Sequence, residues 1–268
     1  VLNLPVEKLA VTVFEGDKDI PRDNVSAEIW KNLGISEDKI AFLGKDDNFW
    51  IAGETGPCGG DTEIFYFRSN DKVPDKYVEI WNNVFMEFYK DENGKVTELP
   101  KKNVDTGMGL ERITAVVEGV DDNYKTSIWK NIIATIEEIS NKKYANNEVS
   151  MRIIADHIRT AVFISSDPAS IKPSNTDQGY ILRRLIRRAI RHAKKLEIDL
   201  NSNWEEKIAN VIIEEYKNYY PEVINNKDVV LEVLKTEKVK FGRTLEKGLK
   251  EFEKMTSNLS EKKLNKDL

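Results

Sequence analysis

The sequence predicts an α+β fold, in which a strand-rich first part is followed by an all-helical second part. Two patterns in the 268 residues support this prediction. Up to about residue 115, short β-branched and aromatic runs are bounded by Gly, Pro or Asp, which is typical of strands. From about Ser127, apolar residues instead recur every three or four positions, the period of an amphipathic helix. Gly and Asp interrupt both patterns over residues 115–127, so we divide the chain into domains of residues 1–118 and 119–268.

Three runs in the first part are predicted as strands: residues 9–14, 62–67 and 77–89. The third run is apolar on both of its alternating faces, and we expect it to be buried from both sides. Its alternation places Asn82 and Val84 on one face and Glu79 on the other. A strong hairpin signal, Asn93-Gly94, follows this run, so we expect an antiparallel partner strand that leads into residues 104–112.

Five runs in the second part are predicted as helices: residues 128–139, 151–164, 179–196, 204–218 and 229 to about 255. The third contains a segment, residues 183–195, with seven Lys or Arg and no acidic residue, although the whole chain has a net charge of −5. The alternative is a charged face that only meets solvent, but such a face usually has acidic partners four residues from its basic residues. Since this segment has none, we favour contact with nucleic acid. The candidate phosphate-binding residues are Arg184, Arg187, Arg188 and Arg191.

Ser174 and Asn175 precede this basic helix and are natural N-cap residues. If the start of the helix points into a nucleic-acid groove, Asn175 would meet base edges. The alternative is that Asn175 only caps the helix.

Composition excludes several classes of protein. Apolar residues make up 40% of the chain, but none of the apolar runs approaches the roughly 20 residues that cross a bilayer. The start of the chain lacks a basic segment followed by an apolar stretch, so we expect no secretion signal and no membrane partner. The single cysteine, Cys58, cannot form an internal disulfide. One cysteine and two histidines are also too few for a structural zinc site. We therefore expect a cytoplasmic protein.

Two segments of the first part carry candidate chemistry. Residues 104–112 place Asp105, Gly107 and Gly109 on one strand face ahead of Arg112. This arrangement offers a carboxylate for an ammonium, open backbone for a flat ligand and a guanidinium for a phosphate. An ordinary glycine-containing strand followed by a salt-bridged helix start is the alternative, and the spacing alone leaves both open.

The second segment, residues 47–65, is rich in glycine and contains Trp50 and Cys58. Glycine-rich loops between strands often belong to binding or catalytic sites. A long structural connector with a buried Trp would have the same composition. Cys58 is not expected to be a nucleophile, because neither histidine is near it in the sequence.

Taken together, five segments closely resemble the alanyl-tRNA synthetases, a family of class II aminoacyl-tRNA synthetases. They are residues 47–59, 79–88 (EIWNNVFMEF), 99–113 (LPKKNVDTGMGLERI), 152–164 (RIIADHIRTAVFI) and 173–196 (PSNTDQGYILRRLIRRAIRHAKKL). They occur in the family's order with near-family spacing, and the resemblance covers essentially the whole chain. It implies part of the family's antiparallel catalytic sheet, with motif 3 in residues 104–112, followed by a helical tRNA-recognition region.

The resemblance also implies the roles of individual residues in the first part. Trp50 and Val84 match walls of a small alanine pocket, and Asn82 matches the polar strand residue beside it. Asp105 matches the carboxylate that pairs with the alanine α-ammonium, and Gly107 matches the backbone next to it.

For the other substrates, Arg112 matches the motif 3 arginine that holds the ATP γ-phosphate, close to Gly109. Asn175 matches the asparagine that reads the G·U wobble pair of the tRNA acceptor stem, and the arginines of the following helix would contact the RNA backbone. The implied cofactors are ATP and the Mg²⁺ that accompanies the nucleotide; zinc is not expected in this segment.

The implied function is that of an alanine–tRNA ligase in protein biosynthesis, which activates L-alanine with ATP and transfers it to the 3′ end of tRNA(Ala). A non-catalytic RNA-binding paralogue is the alternative. Motifs 1 and 2 and the editing domain are not among the matching segments. We therefore expect an internal fragment or split piece, inactive and aggregation-prone alone, whose partner is the missing N-terminal part. Family members usually read GPCGPC where this chain has Cys58-Gly59-Gly60-Asp61, and Asp is common at Phe67; we expect neither departure to abolish the site.

Overall fold

The computed structural model describes residues 2–68 and 77–256, and within them the predicted α+β fold is confirmed. The chain divides into two compact units, Val1–Ile128 and Trp129–Leu268. The first contains all the strands of the described residues, and the second is helical. That residues 1–118 and 119–268 act as functional domains stays a prediction.

The first unit is built on one sheet. Its strands are β1 (Leu9–Phe14), β2 (Ile40–Leu43), β3 (Phe49–Ile51), β4 (Gly56–Phe67), β5 (Tyr77–Lys90) and β6 (Val96–Met108). Its helices are α1 (Asn24–Asn32), α2 (Lys45–Asn48) and α3 (Leu110–Glu118). In the described residues the strands lie in the order β2-β1-β4-β5-β6, and β3 also pairs with β4. The three predicted strands and the hairpin that joins β5 to β6 are therefore present.

The resemblance implied an antiparallel sheet, but one pair of strands departs from this expectation. β1 and β2 run parallel, with Val11 opposite Ile40. A parallel pair needs a crossover connection, and α1 provides it. The Asp23 side chain caps α1 by accepting a hydrogen bond from the Ser26 backbone N–H at 2.9 Å. The four-residue β2 is too short to show an alternating pattern, which is why the sequence did not reveal it.

The glycine-rich segment 47–65 is not a long loop but mostly strand. It forms the end of α2, then β3, a short turn and the first part of β4. Glycine is required here by close packing: a Cβ atom on Gly59 would lie 1.8 Å from the backbone oxygen of Phe85 on β5. The pairing of β4 with β5 shifts register at this point, between Cys58 and Asp61.

A second irregularity changes the faces of β5. Ile64 lies opposite Trp81 and Phe65 lies opposite Glu79, so Ile80 is an extra, bulged residue. The strict alternation predicted from the sequence placed Glu79 and Asn82 on opposite faces, and that prediction is wrong. The bulge returns Glu79 to the face that carries Asn82. Most of β5 is also half-buried rather than buried from both sides.

The second unit is a helical bundle. The described residues from Ser127 onward form helices α4 (Ser127–Ser140), α5 (Glu148–Ser166), α6 (Asp177–Lys195), α7 (Trp204–Tyr216), α8 (Pro221–Asn225) and α9 (Lys227–Thr256). Each of the five predicted helical runs corresponds to one of these helices; the short α8 was not predicted. The central helix α5 packs against α6, α7 and α9, and α6 also packs against α9. Trp129, Met151, Ile158, Leu182 and Trp204 are among its largest fully buried side chains. In the described part of the chain, no helix combines the length and the apolar character that a bilayer span needs.

Candidate functional site

The pairing of the central strands aligns the predicted ligand-binding residues. Two rows of paired residues run across β4, β5 and β6: Glu63, Asn82 and Gly107, and next to them Asp61, Val84 and Asp105. Directly paired residues point to the same side of a sheet, and positions two apart along a strand share a face. Asn82, Val84, Asp105 and Gly107, which the sequence singled out separately, are therefore neighbours on one face.

The register also places Trp50 and Gly109 relative to these rows. Trp50 on β3 lies opposite Gly59, two residues along β4 from Asp61. At the other end, the backbone N–H of Gly109 donates to the backbone oxygen of Ile80 at 3.2 Å and leads the chain into α3.

Arg112, in the first turn of α3, forms an ion pair with Glu79. Its Nη1 atom lies 2.6 Å from Oε2 of Glu79 and 3.2 Å from the backbone oxygen of the same residue. The bulge at Ile80 puts Glu79 where this contact forms. Because both side chains are substantially exposed, the ion pair is weak. A phosphate could therefore replace Glu79 as the partner of Arg112 at little cost.

A buried polar network that the sequence did not reveal joins the carboxylates of the two rows to neighbouring side chains. The side chain of Asn48, which is 0% exposed, donates to Oδ1 of Asp61 and to Oγ1 of Thr12, both at 2.8 Å. Thr12 in turn donates to Glu63 at 3.4 Å, and Nδ2 of Asn82 donates to Glu63 at 3.1 Å. The spacing Asp61-Thr62-Glu63 within a strand could have suggested two carboxylates on one face. Nothing in the sequence indicates that Asn48 and Thr12 join them.

Carboxylates dominate the electrostatics of this face. Burial, together with the negative charges of Glu79 and Asp61, raises the pKa of Glu63 to about 7. Burial also raises the pKa of Asp61, against the hydrogen bond from Asn48. This part of the sheet therefore favours a bound cation, which would offset the repulsion among the carboxylates.

Cys58 has no feature of a reactive thiol. It is 0% exposed, and burial raises its pKa. A reactive cysteine requires the opposite, a lowered pKa and access to solvent.

In the second unit, Asn175 does not cap the basic helix. Helix α6 begins at Asp177 after its N-cap residue Thr176, and no side chain hydrogen bond caps it. The Oδ1 atom of Asn175 instead accepts a hydrogen bond from Nη1 of Arg183. The capping alternative raised by the sequence is therefore wrong, and the side chain of Asn175 is exposed.

The predicted phosphate-binding arginines line one groove on α6. The groove has a volume of about 410 Å³ and contains Arg184, Arg187, Arg188 and Arg191 together with Arg183, Tyr180 and Phe241. Arg187 is held by neighbours: its Nε atom lies 2.7 Å from Glu237, and its guanidinium lies 5.2 Å from the centre of the Phe241 ring. Arg184, Arg188 and Arg191 are exposed, so their charges face solvent and can meet phosphates.

Comparison with known proteins shows the family to which the chain belongs. A family model described as tRNA synthetases class II (A) matches residues 1–268. The chain belongs to this family. Among curated relatives, it is 46% identical to the alanine–tRNA ligase of Borreliella afzelii, over 100% of this chain and 47% of that protein. It is 50% identical to the alanine–tRNA ligase of Treponema denticola, over 86% of this chain and 40% of that protein.

More distant relatives carry the same name. The alanine–tRNA ligase of Myxococcus xanthus is 40% identical over 96% of this chain and 30% of that protein. The chain thus spans about half the length, or less, of the curated relatives it matches. Class II synthetase membership makes the two rows on the sheet and the arginine groove on α6 the candidate sites for small substrates and for tRNA.

Proposed function

We propose that the chain contributes the alanine site and the tRNA acceptor-stem contacts of an alanine–tRNA ligase. Such an enzyme activates L-alanine with ATP to alanyl adenylate and transfers the alanyl group to the 3′ end of tRNA(Ala). The observation that carries the proposal is the pair of rows across β4, β5 and β6, which sets the carboxylate of Asp105 beside Val84 and next to Asn82. The names of the relatives support the choice of alanine.

In this proposal Asp105 binds the α-ammonium of alanine. Its side chain is exposed, and its Oδ1 atom accepts a hydrogen bond from the backbone N–H of Thr106 at 3.0 Å. The neighbouring Asn82 offers a second acceptor, because its buried Oδ1 atom receives no hydrogen bond from the described residues. Val84 and Trp50 would form the apolar walls that fit a methyl group and exclude larger side chains.

Arg112 binds the γ-phosphate of ATP by exchanging Glu79 for the phosphate. In the described residues, no group of three or more His, Cys, Asp or Glu is arranged to bind a metal ion by itself. Mg²⁺, however, is usually held by one or two carboxylates together with substrate phosphates, and Glu79 and Glu63 fit that requirement. The ion would supply neutralisation of the phosphate charge.

The residues of this site act by positioning and electrostatics. Asp105 orients the substrate so that the carboxylate of alanine can attack the α-phosphate of ATP in line. Arg112 stabilises the negative charge of the triphosphate at the γ-phosphate. No covalent nucleophile is needed, which agrees with the burial of Cys58.

For the second substrate, we assign Asn175 to the G·U wobble pair of the acceptor stem. Arg184, Arg187, Arg188 and Arg191 provide the contacts with the RNA backbone, which give affinity without reading sequence. The relatives are about two to three times as long as this chain, so we assign motifs 1 and 2 and the arginine for the ATP α-phosphate to other residues of such a longer cytoplasmic enzyme.

The test is alanine-dependent exchange between ATP and pyrophosphate by the full-length enzyme that contains these residues. We expect exchange with alanine and loss of exchange in Arg112→Ala. A protein that binds the acceptor stem through Asn175 and the arginine groove but shows no exchange with any amino acid would instead be a non-catalytic RNA-binding paralogue. That result would overturn the proposal.

A further inference from the structure

One arginine of α6 holds the exposed amide of Asn175. Nη1 of Arg183 donates to Oδ1 of Asn175, and Nη2 of Arg183 donates to the backbone oxygen of Pro173 at 3.3 Å. A guanidinium has only donors, so the amide atom that faces it must be the carbonyl oxygen. This contact fixes which way round the amide lies: Oδ1 faces Arg183 and the Nδ2 group, with its two donors, lies on the other arm of the amide.

Arg183 is itself held by a buried carboxylate. The side chain of Glu237 on α9 is 3% exposed, and its Oε1 atom lies 3.5 Å from Nε of Arg183 and 2.7 Å from Nε of Arg187. A buried carboxylate is costly without paired cations, so Glu237 favours both arginines nearby: it accepts a hydrogen bond from Arg187 and attracts Arg183 by charge alone. The guanidinium of Arg183 therefore connects the bundle interior to Asn175.

The backbone around Asn175 is fixed as well. A Cβ atom on Gly179 would lie 2.3 Å from the backbone oxygen of Lys172 and 2.5 Å from Oγ of Ser174, so only glycine lets this loop pack against α6. The backbone N–H of Ser174 also donates to the backbone oxygen of Gly179 at 3.0 Å. Both the loop and the side chain of Asn175 are thus ordered before any RNA arrives, which lowers the cost of binding.

We infer that Arg183 and Glu237 are positioning residues that fix the orientation of the Asn175 amide and present its Nδ2 donors to the acceptor stem. The inference rests on the proposed function, in which Asn175 reads the wobble pair. A freely rotating amide could offer its oxygen to one base pair and its nitrogen to another. The fixed amide offers Nδ2 at one place and in one orientation, so it favours a base pair whose acceptor atom lies at that place over a pair whose acceptor is displaced.

The experiment measures aminoacylation by the full-length enzyme with two tRNAs, one with the wobble pair and one with a Watson–Crick pair at the same position. We expect Arg183→Ala to lower the ratio of the two kcat/KM values about tenfold, while alanine-dependent pyrophosphate exchange stays at the wild-type level. Arg184→Ala is the matched control: this neighbouring arginine is exposed in the same groove, and we expect it to weaken both tRNAs alike. An unchanged ratio in Arg183→Ala overturns the inference.

A second variant separates positioning from stability. Arg183→Ala leaves the buried Glu237 with fewer cationic partners, and the bundle should be destabilised. Leu182→Ala truncates a fully buried side chain of the same helix, so it should also lower the melting temperature but leave the discrimination ratio at the wild-type level. If Leu182→Ala lowers the ratio as much as Arg183→Ala does, the ratio follows stability, Arg183 serves stability alone and the inference is wrong.

Asn175→Ala distinguishes failure of the inference from failure of the proposed function. If Asn175→Ala abolishes discrimination but Arg183→Ala does not, Asn175 reads the pair without help from Arg183, and only the inference fails. If Asn175→Ala keeps full discrimination, Asn175 does not read the pair, and the proposed reading and the inference fail together.

Discussion

At the scale of single residues, Asp105 offers the clearest test of the alanine site. In the full-length enzyme, Asp105→Asn removes the charge that the ammonium of alanine would meet, and we expect a loss of about 2–4 kcal/mol in alanine binding. The KM for ATP should change little. Glu98→Gln is the matched control, because Glu98 is an exposed carboxylate on the same strand, opposite Phe88 and outside the two rows. Equal losses for alanine and ATP would show that Asp105 supports the fold instead.

Two glycines of the first unit lead to opposite expectations. A Cβ atom on Gly107 would meet no atom within 4 Å, whereas one on Gly59 would lie 1.8 Å from the backbone of Phe85. Gly107→Ala should therefore change the melting temperature by less than about 2 °C but raise the KM for alanine or ATP, because the methyl group occupies the approach to the sheet. Gly59→Ala should lower stability by about 2–3 kcal/mol. Wild-type KM values in Gly107→Ala would show that no ligand approaches this backbone.

The strand period of EIWNNVF and VDTGMGLER predicted that Asn82 and Val84 share one strand face and that Asp105 and Gly107 share another, and the pairing of β5 with β6 brings the four together. Their roles as site residues come from the resemblance and stay predictions. Glu79 could not be placed, since the bulge at Ile80 arises from pairing with β4 rather than from local sequence. The network of Asn48 and Thr12 with the carboxylates was hidden for a similar reason, because it joins residues 36 positions apart.

At the scale of elements, the basic helix α6 contains a histidine that should make the second unit sensitive to acid. Burial lowers the pKa of His192 to about 4, with further lowering by the charges of Lys195, Arg188, Arg191 and His157. Oγ of Ser150 on α5 lies 3.0 Å from its Nδ1 atom. An unfolded chain would take up a proton near pH 6.5, so His192 destabilises the fold progressively as the pH falls from about 6.5 to 4 and has no such effect above that window.

We therefore expect the melting temperature of the wild type to fall faster than that of His192→Gln between pH 6.5 and 4.5. The difference between the two slopes isolates His192 from other groups that titrate in this range. Parallel slopes would mean that His192 accepts its proton without cost in the folded state.

Strand β6 predicts the behaviour of the isolated chain. It lies at one end of the strand order, so its outer edge pairs with no strand of the described residues, and Val104 on it is 64% exposed. Long exposed edges of this kind promote association. We expect the 268-residue chain alone to bind a hydrophobic dye and to self-associate, and Val104→Lys to reduce both effects. Val25→Lys, at an apolar position on α1 that is at least as exposed, should reduce them less. A monomer that melts cooperatively without binding dye would contradict this prediction.

The sequence predicted those helices and strands whose apolar residues recur with a regular period over many positions. The strand β5 and helices α4, α5, α6, α7 and α9 were predicted from apolar spacing. The parallel β2, the crossover helix α1 and the five-residue α8 were missed, because runs this short or this polar do not produce a periodic signal.

At the scale of the whole molecule, we expect the two units to serve two separable steps. Residues of the sheet would govern activation of alanine, and Asn175 with the arginine groove would govern the use of tRNA. If this division holds, a variant in the sheet lowers both activation and transfer, whereas a variant among the tRNA contacts lowers transfer alone.

The most direct test measures pyrophosphate exchange and tRNA aminoacylation side by side, in the full-length enzyme, for Asp105→Asn and Asn175→Ala. We predict that Asp105→Asn lowers both rates together, because transfer depends on the adenylate. Asn175→Ala should leave exchange at the wild-type level. It should lower kcat/KM for aminoacylation of tRNA(Ala) by an amount that corresponds to a loss of about 1–3 kcal/mol. Wild-type exchange in Asp105→Asn, or an equal loss of both rates in Asn175→Ala, would contradict the account.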